Sequence, residues 1–167
     1  MAKQRIAFQG EPGANSHLAI EEVFPGAIAV PCATFEDALG TIRSGRADLG
    51  MIPIENSVAG RVADIHHLMP HSGLHIIAEH FMPVHHQLMA IRRASLKTLK
   101  TVESHVHALG QCRKIIRQYG LTPVVTGDTA GSAREVRDWN DASRASLAPA
   151  LAGDIYGLQT LATNVED

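Results

Sequence analysis

The stretch Arg5-Ile6-Ala7-Phe8-Gln9-Gly10-Glu11-Pro12-Gly13-Ala14-Asn15-Ser16 sets a short apolar run against a glycine-punctuated turn, and then opens a segment of helical period. Arg5–Phe8 reads as a strand, and Ser16–Val23 repeats apolar residues at three- and four-residue spacing. The glycines between them allow backbone conformations that other residues avoid. A strand that feeds a glycine turn and a helix is the building unit of α/β proteins.

Outward from this unit the same rhythm continues, and nearly every junction carries Gly, Pro, Asn, Asp or Ser. Further strands are predicted over Ala27–Pro31, Leu49–Ile52, Leu74–Glu79, Gln87–Ile91, Thr101–Glu103, Pro123–Thr126, Ala145–Ala148 and Thr160–Ala162. Helices are predicted over Thr34–Ser44, Val62–Met69, Val106–Tyr119, Ala130–Trp139 and Pro149–Tyr156. The helix from Val106 is the clearest, because Leu109, Cys112, Ile115 and Ile116 share a face and Gly120 ends it. The expected fold class is therefore α/β.

With 167 residues, 45% hydrophobic and 19% charged, the chain can bury a core as one large domain or two small lobes, which argues against disorder. Fifteen Lys and Arg against 17 Asp and Glu leave a net charge of −2, so electrostatically driven nucleic-acid binding is not expected. No window approaches the roughly 18 apolar residues of a membrane span, and the N-terminus reads as no secretion signal. Cys32 and Cys112 are too far apart for a CxxC motif, so reduced thiols and a cytoplasmic location are expected. The ten histidines match no strong zinc spacing, and no metal site is expected. No GxSxG elbow marks a serine hydrolase.

No low-complexity linker divides the chain. The best hinge is Ala78–His86, where Ile76-Ile77-Ala78 gives way to Phe81-Met82-Pro83-Val84 and a second apolar strand. This suggests two α/β lobes, residues 1–78 with 151–167 and residues 79–150, and a ligand in the cleft at the carboxyl ends of strands.

Four segments carry candidate chemistry. The Gly10–Ser16 turn opens a helix, so its N–H groups suit an anion, with Ser16 as a further donor; on pattern alone a structural turn with an N-cap is the favoured reading. Asp128-Thr129-Ala130-Gly131-Ser132-Ala133 is a second such junction, readable as a capped helix start or as a grip on a ligand oxygen. In Ile52-Pro53-Ile54-Glu55-Asn56-Ser57 a strand runs into three polar side chains in a loop, where α/β proteins keep function. Ser104-His105-Val106-His107 offers an imidazole able to trade a proton near neutrality. Arg43, Arg46, Arg61, Arg92 and Arg93 are further candidates to neutralise an anion, or belong to a solvated face.

Taken in order, five segments resemble the catalytic domain of prephenate dehydratases. They are Phe8–Ser16; Phe35-Glu36-Asp37-Ala38; Pro53–Ser57 with Gly60; Ser104-His105 with Ala108-Leu109 and Gln111-Cys112; and Asp128–Ala133. The resemblance spans essentially the whole chain. It implies a two-lobed periplasmic-binding-protein-like fold of type II and the decarboxylating dehydration of prephenate to phenylpyruvate in phenylalanine synthesis. It implies catalytic roles for Glu55, Asn56, Ser57, His105 and Thr129, and substrate binding by Gly13, Asn15, Ser16, Ser104, Ala130, Gly131 and Ser132. Neither a metal nor an organic cofactor is implied. A homo-oligomer, a dimer, is expected, with no nucleic-acid or membrane partner.

Two departures stand out. The family's Ser-His-Pro-Gln is here Ser104-His105-Val106-His107, and the chain stops at Asp167, before the family's Thr-Arg-Phe motif and its phenylalanine-binding ACT domain. The family's threonine is regarded as the proton donor, so slow turnover and poor binding are expected of these residues. Glu55 and His105 are then expected to orient the ligand rather than to serve as the main acid. Arogenate dehydratase is the sibling alternative. A non-catalytic small-anion-binding module of the same fold is the alternative from another class.

Overall fold

A computed structural model describes residues 3–167, which divide into two compact units. Residues up to Glu11 group with Asn15–Met82, and Pro12–Ala14 group with Pro83–Asp167.

In the first unit β1 (Arg5–Gln9) is central, and Ile6, Ala7 and Phe8 are fully buried. After the glycine turn comes α1 (Asn15–Val23), then β2 (Ile28–Cys32), α2 (Phe35–Arg43) and β3 (Leu49–Gly50). The three strands form a parallel sheet in the order β2-β1-β3. Thr34 caps α2: its Oγ1 accepts from the Asp37 N–H at 3.0 Å, and Glu36 and Asp37 oppose the positive end of the helix dipole. Ile52–Gly60, predicted to be a loop, contains a two-residue hairpin, β4 (Glu55–Asn56) against β5 (Gly60–Arg61). It is followed by α3 (Ala63–Leu68) and a 3-10 turn over Met69–His71.

The strand predicted over Leu74–Glu79 does not form. Residues 74–86 have no regular structure, and Ile76, Ile77 and Phe81 are 70%, 74% and 82% exposed. Apolar pattern is not enough for a strand, because its N–H and C=O groups need a ladder partner. Among the described residues no strand pairs with this segment.

In the second unit β6 (Gln87–Ala90) and β7 (Thr101–Ser104) are followed by α4 (Val106–Gln111), α5 (Arg113–Gln118) and β8 (Thr122–Val125). Then come α6 (Thr129–Trp139), β9 (Arg144–Ala148), α7 (Ala150–Tyr156) and β10 (Gln159–Ala162). The sheet order is β10-β6-β9-β7-β8; β7 runs parallel to β8 and β9, while β6 is antiparallel to β9 and β10. Both faces are covered, as parallel strands require. Leu88, Val102, Ala145 and Leu147 pack with Leu109, Cys112, Ile115 and Ile116, whereas Met89 and Ala148 pack with Ala130, Ala133, Ala152 and Tyr156.

Two expectations are corrected here. The helix predicted over Val106–Tyr119 breaks at Cys112 (φ −120, ψ 34), because the Asp167 carboxylate accepts from the N–H groups of Arg113 and Lys114 at 3.1 and 2.9 Å and starts a new helix there. The segment 151–167, expected with the first lobe, lies in the second unit instead. Its β10 completes the sheet edge beside β6, and the following tail is strapped down as well: the Val165 N–H donates to the His86 carbonyl at 2.9 Å. Glu166 accepts from the His86 N–H at 2.9 Å and pairs with His85 Nδ1 at 2.6 Å. Burial pushes against ionisation of Glu166, yet the bonds to His85 and His86 hold its carboxyl below the ordinary range.

His86 is 2% exposed, and burial lowers its pKa below 6.5 against weaker opposing effects from Gln111 and Glu166. The neutral ring is thus the folded form, and the unfolded chain takes up the proton first as pH falls. Stability is expected to drop as pH is lowered through 6.5 and to level off below the folded-state value. Thermal unfolding between pH 5 and 8 checks this: His86→Gln should flatten that part of the profile, and an unchanged slope would assign it to other groups.

Candidate functional site

The carboxyl ends of β7, β8 and β9 lie on one side of the second sheet, since these strands are mutually parallel. Each end runs into a helix start, so backbone N–H groups and strand-end side chains gather there.

At the end of β7, Ser104 is fully buried and its hydroxyl donates to the Leu147 carbonyl at 2.6 Å. The hydroxyl therefore ties β7 to β9 and is not presented to a ligand. His105 follows, half-buried, and its Nδ1 accepts from the His107 N–H at 3.3 Å. That bond leaves the proton of the neutral ring on Nε2. Burial first, then the neighbouring His107, lowers the His105 pKa, with Asp128 pulling the other way. The His107 ring packs edge-on at 4.8 Å. A neutral His105 donates a hydrogen bond well, but is a poor source of a full proton at neutral pH.

At the end of β8, Thr126 donates its N–H to the Ser104 carbonyl at 2.9 Å and Asp128 caps α6, accepting from the Gly131 N–H at 2.6 Å. A Cβ at Gly131 would lie 2.7 Å from the Asp128 carboxylate, so a larger residue there would displace the capping side chain. Thr129 is the first residue of α6 and half-buried. Ala130 and Gly131 are buried. Ser132 is fully buried, its hydroxyl placed 2.6 Å from both the Thr129 carbonyl and Ser146 Oγ. Like the Ser104 hydroxyl, it is bonded internally.

Gly13, with Pro12 and Ala14, belongs to this unit and packs on α7 and the start of α6. So Gly13, Ser104, His105 and Thr129–Ser132 share one end of the second unit. In the first unit, Asn15 and Ser16 open α1. Glu55 and Ser57 are exposed, and Asn56 shapes the hairpin, its Oδ1 accepting from the N–H groups of Val58 and Ala59, both at 2.9 Å. No side chain of this hairpin caps the following helix: Val62 is the N-cap residue of α3 and makes no side-chain bond.

Among the described residues no group of three or more His, Cys, Asp or Glu is placed to hold a metal ion. Cys112 is fully buried and its thiol is pushed up to about 12 by burial, with Glu166 and Asp167 adding to it, so it stays protonated. Sequence reasoning did not single out Tyr156, whose only local signal is a large aromatic ending a helix of small residues.

The family model of prephenate dehydratase matches residues 6–167. The chain belongs to the prephenate dehydratase family. It is 46% identical over 162 residues to a bifunctional N-acyl-homoserine lactone acylase/prephenate dehydratase of Komagataeibacter europaeus, covering 97% of this chain and 58% of that one. It is 38% identical to arogenate dehydratase 1 of Petunia hybrida, covering 98% and 39%. The solved prephenate dehydratase from Arthrobacter aurescens, in complex with L-Phe, superposes with a TM-score of 0.90 at 30% identity, over 98% of this chain and 56% of that one. The fold is thus the periplasmic-binding-protein-like fold of prephenate dehydratases. The chain spans a little over half the length of two of these relatives and about two-fifths of the third. No helix among the described residues is long and apolar enough to cross a membrane.

Within this family domain the Asp128 cap sets the α6 start. Asp128→Ala is expected to cost about 1 kcal/mol, the usual worth of an N-cap, and Asp128→Asn to recover most of it. Urea unfolding measures both, and an Ala variant as stable as wild type would remove the cap from the account.

Proposed function

We propose that this domain performs the decarboxylating dehydration of prephenate to phenylpyruvate. The observation that carries the reading is the α6 start: a capped eleven-residue helix with Thr129 at its first position, at the same strand ends as His105. Helix N-termini favour anions, and prephenate carries two carboxylates.

The reaction asks little covalent chemistry of the protein. The ring C–CO2 bond breaks, its electron pair enters the ring as the ring becomes aromatic, and the C–OH bond opposite breaks. One proton joins the departing hydroxide, so prephenate and a proton give phenylpyruvate, CO2 and water. The protein must orient the dianion and assist the leaving oxygen. We assign Thr129 and the N–H groups at the α6 start to the anion, and the Nε2–H of neutral His105 to hydrogen bonding rather than full proton transfer. Gly13, Asn15, Ser16, Glu55, Asn56 and Ser57 are assigned to positioning the substrate, with Ala130 contributing backbone and Gly131 held by its bond to Asp128. Ser104 and Ser132 support the site from behind. Because neutral His105 is a poor source of a full proton, slow turnover by residues 1–167 is expected.

Amide hydrolysis, the other activity in the Komagataeibacter relative's name, needs an activated nucleophile. Ser104 and Ser132 are buried and internally bonded, and Cys112 stays protonated. These features favour the dehydratase reading. Arogenate, with an amino group for the keto oxygen, is the competing substrate within it. We further infer a cytoplasmic homodimer without nucleic-acid partners.

Phenylpyruvate formation from prephenate, and phenylalanine formation from arogenate, test this directly. Thr129→Val should lower kcat/KM for prephenate about tenfold or more, the worth of a hydrogen bond to a charged group. Binding of prephenate without turnover under single-turnover conditions would favour the anion-binding module, and preference for arogenate the sibling enzyme. Light scattering after size exclusion should give twice 17.9 kDa; a monomer at high concentration would overturn the dimer.

A further inference from the structure

Tyr156 ends α7 and is 8% exposed, and its hydroxyl donates to the Pro12 carbonyl at 2.9 Å, across 144 residues of sequence. Proline has no N–H, so that carbonyl is the only main-chain hydrogen-bonding group Pro12 possesses. A planar trans peptide turns as one body, and fixing the Pro12 carbonyl therefore fixes the plane that ends at the Gly13 nitrogen.

Gly13 follows at φ +94, and a Cβ there would sit 2.7 Å from the Ala152 Cα, so the loop backbone lies directly on the backbone of α7. Ala14 packs with Ala130, Ala133, Ala152 and Tyr156. The phenol ring is itself held, with the Arg137 guanidinium of α6 5.3 Å from its centroid. Three residues thus group with the second unit while their chain neighbours Glu11 and Asn15 group with the first. The next residue, Asn15, begins α1.

We propose that Tyr156 is a positioning residue: through the Pro12 carbonyl it sets the Pro12–Ala14 turn, whose Gly13 backbone meets the anionic substrate. This rests on the dehydratase reading for the identity of the anion, and on geometry alone for the clamp. Tyr156 acts at one remove, and nothing in the role requires it to touch substrate.

Tyr156→Phe keeps the ring and removes the donor. Amide hydrogen exchange of the peptide spanning residues 10–20 should quicken about fivefold, the usual net worth of one neutral hydrogen bond. Calorimetric affinity for prephenate should fall by a similar factor, with the thermal midpoint lowered by no more than about 2–4 °C, the worth of one such bond. Ala152→Val, which crowds Gly13 while keeping the phenol's donor, should loosen the same peptide and weaken the same affinity.

A merely structural tyrosine would show a different pattern, a midpoint lowered further with exchange raised across the whole second unit and affinity unchanged at temperatures where the protein is folded. That result, or an unchanged exchange rate in residues 10–20, overturns the proposal. If wild type binds no prephenate while Tyr156→Phe still loosens residues 10–20, the clamp stands and the dehydratase reading falls.

Discussion

Parallel pairing of β7 with both β8 and β9 is the constraint from which the second unit follows. Parallel neighbours cannot be joined by tight turns, so each connection must cross over, and here the crossovers are helical. The helices cover both faces of the sheet, the strands become buried, and all three carboxyl ends emerge on one side. β9 shows how complete the burial is: Ala145, Ser146, Leu147 and Ala148 are each 0% exposed. Polar groups inside such a sheet must be satisfied internally. Ser146 bonds Ser132, and Glu103, its register partner on β7, accepts from Thr101 at 2.8 Å and Arg144 at 3.0 Å. Burial nevertheless raises the Glu103 pKa, and its second carboxylate oxygen has no partner among the described residues.

The same economy shapes the candidate site. Hydroxyls that look like ligand contacts in the sequence are bolts in the structure: Ser104 joins β7 to β9, and Ser132 joins α6 to β9. Rigid placement of the strand ends follows, which matters when the chemistry is mostly a question of orientation. In the proposed reading, the α6 start, Thr129 and the neutral ring of His105 are the groups assigned to the anion.

Decarboxylating dehydration suits this arrangement, because aromatisation of the substrate ring supplies the driving force. A shared fold never decides a reaction by itself, and the match over residues 6–167 shows the family. The chain covers 58% of its Komagataeibacter relative.

The sequence by itself determined the features that neighbouring residues can encode. The β1–turn–α1 unit, the Asp128 cap with glycine three residues later, and the amphipathic face of Leu109, Cys112, Ile115 and Ile116 all rest on periodicity, capping or positive φ within a few positions. Tertiary structure alone decided the rest. An apolar run at Leu74–Glu79 found no ladder partner, and the Val106 helix was cut where a carboxylate arrived from Asp167. The tail from residue 151 joined the second sheet, and Pro12–Ala14 joined α7 through a phenol 144 residues away. Each of these is a bond between groups distant in sequence, satisfied only when the whole chain closes, so local pattern carries no trace of which partner will be there.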